Sequence, residues 1–455
     1  MTPAAETSAT TRNTKKQWLP LVALSLLGAL LITLTALWLK MWDHQRVTYY
    51  FWLFNVQTLI YLAACFIVIK TESNRYALII VLVVAATLRV MLLPTEPAHS
   101  TDIFRYVWEG YVQTHGINPF RYVPAAPELE HLRDDYIYVN INRKDYAKTP
   151  YPPVAQIIFA ISNLIRPRGV TTLKIIWVLF ECVTIGALLG LLKKLNMNLS
   201  RVIVYAWSPL AVWEVAQNGH LDVAAATFIT LAGLAAAHGK RATIGAMLAM
   251  ATMVKLFPAL LVAAFWKKGD KRLPIAMAVT LAIFYAPYLG VGTGILGFVT
   301  HYPSEEGFIS GERFLLLKWI HMIVPLHPLA YLGIFAVLLG TAGLYLLLKN
   351  KDIFQQLRGC TLLAGLVLFF ISPQYGWYYL WLLPFLSLTI EQITIAQVIA
   401  TIAVAASFVR YHLAQTLMID LLVAPASIGF SLKQAPSVQW LWLLLVASAA
   451  WLSWI

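Results

Sequence analysis

The chain has 455 residues, 60% hydrophobic and only 12% charged, with a mean hydropathy of +0.70 and a formal charge of +13. Soluble domains carry about 25% charged residues, and here apolar runs recur from Leu19 to Ile455, so a water-soluble enzyme is excluded. At about 20 residues per span, the sequence predicts an all-α polytopic membrane protein of about 11–13 transmembrane helices.

The positive charge follows topology. Half of the 34 basic residues fall in alternate short loops, from Arg12 through Lys70, Lys193, Lys240 and Lys267 to Arg358, which the positive-inside rule marks as cytoplasmic. No basic patch is interleaved with stacking aromatics outside the apolar runs, so a nucleic-acid partner is not expected. Cys65, Cys182 and Cys360 sit singly in apolar runs without a metal or disulfide pattern.

Residues 1–17 read as a disordered cytoplasmic tail, and 18–455 as one multispanning membrane domain. Spans at 19–39, 51–69 and 76–93 carry the chain outward, with Arg89 expected to snorkel to the outer surface. The stretch 94–152 is a large outer loop, rich in aromatics and holding 8 of the 21 acidic residues, and is expected to fold as short surface helices. Residues 153–165 are apolar but too short to cross, and dip into the outer leaflet. Spans follow at 172–192, 200–217 and 222–238. Between Lys240 and Lys267 the run broken at Lys255 and Pro258 preserves charge parity only as a re-entrant hairpin. Further spans are expected at 273–290, 328–348, 358–373, 377–390, 393–410 and 436–455, with a second outer loop and interfacial helix over 291–324.

Three constellations carry candidate chemistry. In the run Thr101–Gly110, helical spacing places Asp102, Arg105 and Glu109 on one face, where a carboxylate beside a guanidinium can serve as a general base. A charge-paired polar face is the alternative. Glu214, His220 and Asp222 lie around Asn218-Gly219-His220-Leu221-Asp222 at the outer end of two spans, either as a polar cap or as inward-facing ligands. Lys255, alone in an apolar hairpin, calls for an anion such as a phosphate, unless it snorkels to water. The cluster Ser372–Tyr379, with Gln374, Tyr375 and Tyr378, makes an aromatic belt or a sugar-stacking floor. Glu181 in mid-span is expected to pair with a neighbouring helix. No Gly-rich nucleotide loop and no H-E-x-x-H pattern occurs, so no nucleotide or metal cofactor is indicated, although the outer-loop acids could hold a divalent ion.

In order along the chain stand D-x-x-R-Y-x-W-E-G (Asp102–Gly110), G-x-N-P-F-x-Y-x-P (Gly116–Pro124), Y-P-P-x-x-Q (Tyr151–Gln156) and W-x-P-L…E…N-G-H-x-D (Trp207–Asp222). These motifs, with Lys255-x-x-Pro258, resemble the GT-C class of multispanning glycosyltransferases, and within it bacterial mannosyltransferases that use polyprenyl-phosphate sugars. The resemblance implies an inverting transfer of a hexose, mannose in the most similar members, from a polyprenyl-phosphate donor to a hydroxyl of a glycolipid, glycan or other acceptor. It implies a multi-pass protein of the bacterial inner membrane with a cytoplasmic N-terminus and an extracytoplasmic active site. Asp102 would be the general base, and Arg105, Lys255, His220 and Asp222 would bind donor phosphate or sugar, with Arg121, Arg143 and Lys144 in reserve. Glu109, Tyr151, Gln156, Glu214, Gln374, Tyr375 and Tyr378 would support them. Some related families carry a His where Gln374-Tyr375 stand, a role open here to Tyr375, His301, His321 or His327. A transporter or flippase of a lipid-linked or anionic substrate is the competing expectation, and a glycan polymerase or ligase a third.

Overall fold

A computed structural model describes residues 3–41, 47–72, 74–98, 100–300, 317, 320–321, 323–349, 351–371 and 376–389. The elements are helical throughout, with no strand among the described residues. Among the described residues, five helices are long and apolar enough to cross a membrane: Trp18–Lys40, Arg75–Leu92, Val170–Lys194, Arg272–Ile295 and Pro328–Leu348. Val56–Lys70, Pro153–Ile165, Asp222–Ala237 and Ile353–Leu368 are apolar but shorter. The protein is an all-α polytopic membrane protein; the spans expected at 393–410 and 436–455 lie outside the described residues.

Helix α1 (Pro3–Met41) starts far ahead of the apolar run and takes in residues 3–17, expected as a disordered tail. Residues 4–19 hold no Gly or Pro to stop the helix growing backward, and Pro3 suits a first helical position, where its missing N–H has no partner to lose. Its 39 residues make about 58 Å, well beyond a bilayer core of about 30 Å. Helices α2 (Val47–Lys70) and α3 (Arg75–Leu92) pack on it.

The outer loop is a folded cap. Helix α4 (Asp102–Thr114) is followed by tight turns at Pro127–Leu132 and Tyr138–Asn140. The cap buries Ile103, Trp108, Leu129, Leu132 and Ile137 in a core continuous with the bundle. Most of α4 is buried, so it is an internal strut and not the surface helix expected. Helix α5 (Pro153–Ile165), with the boundaries expected, packs across it, and a Cβ at Gly110 would strike the Phe159 carbonyl. That approach is open only to glycine.

Helix α6 (Val170–Lys194) leads to a segment that is not the regular span expected at 200–217. It runs as short helical pieces at Leu199–Val202, Ile203–Ala206 and Pro209–Ala211, then a wide π-helical turn at Val212–Gln217. Pro209 cannot donate to the preceding turn, so the backbone breaks at Trp207-Ser208. At membrane depth a broken backbone survives only inside protein, and this segment is almost wholly buried. Arg89 closes the break, which corrects the expectation that it snorkels outward. Its Nη1 donates to Ala206 O at 2.7 Å, while Nε and Nη2 grip both oxygens of Glu181 at 3.0 and 2.9 Å. Trp207 Nε1 donates to Val81 O at 2.8 Å and Trp213 Nε1 to Gln57 Oε1 at 2.7 Å, tying the segment to α3 and α2.

Helix α7 (Asp222–Ala237) then leads to α8 (Arg241–Thr252), a break, and two short pieces at Phe257–Leu261 and Val262–Phe265. The chain turns back on itself here. Arg241, at the start of α8, meets Asp270 at 2.6 Å and the Phe265 carbonyl at 2.7 Å after the return. The break falls where the re-entrant hairpin was expected. Helix α9 (Arg272–Tyr285) continues into 3₁₀ turns over Ala286–Thr300, which dock on the outer cap. There Tyr288 donates to Gln113 Oε1 at 2.9 Å. Helices α10 (Pro328–Leu348), α11 (Ile353–Ile371) and α12 (Leu383–Thr389) complete the described chain.

Candidate active site

Where the cap meets the hairpin tip and the 376–381 turn, a cavity of about 1110 Å³ opens. Its walls carry Asp102, Asn142 and Arg143 from the cap, Lys255 from the hairpin, and Trp377 and Tyr378 from the turn. Of the twelve residues expected at the site, Asp102, Tyr151, Lys255 and Tyr378 line the cavity, and Asp222 and His220 stand directly behind.

Asp102 is the first residue of α4, where the helix dipole favours a carboxylate. Its Oδ1 accepts from Asn142 Nδ2 at 2.7 Å. Burial raises its carboxyl above the usual range, against the lowering pull of the Asn142 hydrogen bond and of Arg143, Lys255 and Arg105. Arg143 sits in the left-handed backbone region, φ 54°, a costly conformation for a side-chain-bearing residue that tends to mark a functional wall.

Lys255 occupies the break after α8. Two amides from the start of α5, Val154 N and Ala155 N, donate to Met253 O at 3.1 and 3.2 Å and pin the hairpin tip against the cap. Lys255 Nζ is hydrogen-bonded to Asp222 Oδ1 and stands 3.6 Å from the centre of the Tyr378 ring. It therefore does not snorkel outward. Asp222 lies behind the wall, and its Oδ2 has no hydrogen-bond partner among the described residues.

Arg105 and Glu109 do not reach the cavity wall. They form a buried pair at 2.5 Å beneath it. Arg105 Nη2 donates to Ala147 O at 2.9 Å, while Glu109 Oε2 accepts from Thr149 Oγ1 and Gln156 Nε2, both at 2.6 Å. This departs from the expectation that Arg105 binds donor phosphate, because the guanidinium is buried off the cavity wall and donates to Glu109 and the Ala147 carbonyl. Asp102, one turn earlier on α4, instead lines the cavity.

The Glu214–His220 element backs the site. Glu214 Oε2 accepts from Asn218 Nδ2 at 3.0 Å and lies 3.3 Å from His220 Nε2. The His220 ring stacks on Trp377, centroids 3.8 Å apart, so it supports a cavity wall without lining it. Gly219, φ +73°, packs so closely on Ile103 that a Cβ there would collide with it, which locks the two motifs together. Tyr151 lines the cavity, edge-on to Tyr106 at 5.0 Å.

The reserve residues Arg121 and Lys144 are off the wall; Lys144 stands 4.9 Å from the Tyr138 ring. His321 bonds the Leu326 carbonyl at 2.6 Å and His327 caps α10 by accepting from Leu329 N, so neither reaches the cavity. Gln374, Tyr375 and His301 lie outside the described residues.

Three contributors had no role assigned from the sequence. Asn142 orients Asp102. Lys174 Nζ donates to Leu92 O and Thr95 O at 3.2 and 2.7 Å, capping α3 ahead of the Asp102 loop. Asn218 Oδ1 accepts from Ala98 N at 3.0 Å in the same loop. A lone Lys in an apolar span was a visible signal for Lys174; Asn142 carries none.

With the geometry in place, residues 149–373 match the model of Glycosyltransferase family 87. The match supports a membrane glycosyltransferase. It takes in the hairpin, the Trp207–Asp222 element and α5, and it begins after Asp102. It gives no support to a transporter or flippase. No curated protein matches the chain. A glycosyltransferase uses a sugar donor and an acceptor, and the cavity is large enough for two sugar-sized groups, since ligand pockets run from about 300 to 1,000 Å³.

Proposed function

We propose that the protein transfers a hexose from a polyprenyl-phosphate donor to an acceptor hydroxyl by a single inverting displacement in this cavity. The observation that carries the reading is that one cavity presents a carboxylate, Asp102, and two cations, Lys255 and Arg143. Asp102 takes the proton of the acceptor hydroxyl as its oxygen attacks the anomeric carbon. The bond from that carbon to the phosphate oxygen breaks, and its electron pair leaves on the polyprenyl phosphate.

One carboxylate suffices, since no glycosyl-enzyme forms and a phosphate leaves without protonation. Lys255 and Arg143 stabilise the phosphate charge as it develops. Asp222 orients Lys255, and the Trp377 ring, backed by His220, forms a floor beneath the sugar. Arg143 takes the place for which Arg105 was a candidate. Mannose as the sugar and the bacterial inner membrane as the setting rest on the motif resemblance. The positive-inside rule supports an extracytoplasmic site, since the basic loops at Lys194, Arg241 and Lys351 lie away from the cavity lining.

Incubating the purified protein in lipid with polyprenyl-phosphate mannose and a membrane lipid extract should yield a new glycosylated product. Absence of product with every polyprenyl-linked hexose tried would overturn the reading.

A further inference from the structure

The cavity has two ends of different character. Its floor is buried, with Leu221 and Val254 each 1% exposed, and Lys255 follows Val254 there. Its mouth carries the exposed side chains Glu96 and Tyr136, which line the same space. Tyr136 Oη donates to Glu96 Oε2 at 2.6 Å, joining chain segments 40 residues apart across the opening. The Tyr136 ring meets Phe104 edge-on at 5.5 Å, and Phe104 is two residues from Asp102 on α4.

The mouth is also rigidly built. Asp134 Oδ1 accepts from the backbone amides of Tyr136, Ile137 and Tyr138 at 3.1, 2.6 and 3.0 Å. Its other oxygen pairs with Arg168 Nε at 2.9 Å. Asn140 Nδ2 donates to the Tyr136 carbonyl at 2.7 Å, and Asn140 itself lines the cavity. Neither the proposed displacement nor the sequence motifs use Glu96 or Tyr136.

We propose that Glu96 and Tyr136 form the acceptor subsite, and that the acceptor group they hold is a neutral hexopyranoside. This rests on the transferase reading. Three arguments point to that class. A carboxylate only accepts hydrogen bonds and suits the several donor hydroxyls of a sugar. An exposed aromatic ring beside it offers a face to the C–H side of a pyranose. A negative charge at the mouth repels a phosphate, which leaves the donor's charged end to Lys255 and Arg143, while a neutral acceptor is held next to the α4 turn that carries Asp102.

The test is saturation-transfer NMR on the full protein in lipid nanodiscs, with methyl α-D-mannopyranoside and methyl α-D-glucopyranoside as probes. At least one should bind saturably. Glu96→Gln and Tyr136→Ala should each weaken that binding about tenfold or more, the loss expected for a charge-assisted hydrogen bond or a stacked ring. Tyr136→Phe, which keeps the ring, should lose less. Both positions are exposed, so unfolding midpoints should match the parent protein. Added polyprenyl phosphate should not displace the probe.

No binding of either glycoside, binding indifferent to both Glu96→Gln and Tyr136→Ala, or displacement by polyprenyl phosphate overturns the subsite. Probe binding at the mouth without transfer from any polyprenyl-linked hexose would instead remove the transferase reading and leave the subsite standing.

Discussion

Arg105–Glu109 and Lys255–Asp222 are both charge pairs that act on the Asp102 carboxylate, and their surroundings differ. In the first, side chains are 4% and 3% exposed and Glu109 is met by Arg105, Thr149 and Gln156. In the second, Lys255 is 18% exposed, its ammonium reaches the cavity beside the Tyr378 ring, and Asp222 Oδ2 has no partner among the described residues. A sealed and satisfied pair specifies structure. A pair open on one side keeps a cation available. On the proposed reaction, the first builds the strut that presents Asp102 and the second supplies charge to the donor.

The largest effect that can break this comparison is on folding. Arg105→Met leaves Glu109 buried without its cation and should cost about 3–5 kcal/mol, seen as a lowered unfolding midpoint in detergent or nanodiscs. In the fraction that folds, the KM for donor should be unchanged. A well-folded Arg105→Met protein with weakened donor binding would reverse the roles assigned to the two pairs.

Next in size is Lys255→Gln combined with Asp222→Asn, which removes the cation without stranding the carboxylate. The KM for a polyprenyl-phosphate sugar should rise about 10–100-fold, the worth of about 1.5–3 kcal/mol for a hydrogen bond to charge. Unfolding should shift little. An unchanged donor KM would place the phosphate elsewhere.

The smallest effect is on pH dependence. A general base works only when deprotonated, and burial holds the Asp102 carboxyl above the usual range, so activity should fall on the acid side at a pH higher than for an exposed aspartate. Asn142 donates to the charged form. Asn142→Ala should therefore move that acid limb to still higher pH, with activity recovering in alkaline buffer. An unmoved limb would detach Asn142 from the base.

Much of the fold was legible because its signals are local. Apolar runs and the basic residues between them marked α3, α6, α9 and α10, and the lone charge at Lys255 with Pro258 marked the hairpin break. The short α5 between two Pro-bearing turns was read with its boundaries intact. Contacts between distant segments were not legible. Arg89 looked like a snorkelling residue, because its partner carbonyl at Ala206 is 117 residues away and is freed only by the Ser208-Pro209 break. Arg105 and Glu109 have a spacing that serves a surface pair and a buried one equally well. Asn142 sits in a loop without periodicity, so nothing in its neighbourhood announced that the chain returns there to Asp102, and Arg143 beside it stood only in reserve. The site was thus visible where a motif or an isolated charge marked it, and hidden where folding of the cap brought residues together.

The central claim is that Asp102 is the base of a transferase whose donor site lies toward Lys255. The most direct measurement compares Asp102→Asn with the parent protein in two assays: binding of polyprenyl-phosphate mannose, and transfer of the sugar to acceptor. Binding should persist while transfer falls about 10²–10⁴-fold, the usual contribution of a general base. Transfer at the parent rate by Asp102→Asn would contradict the account.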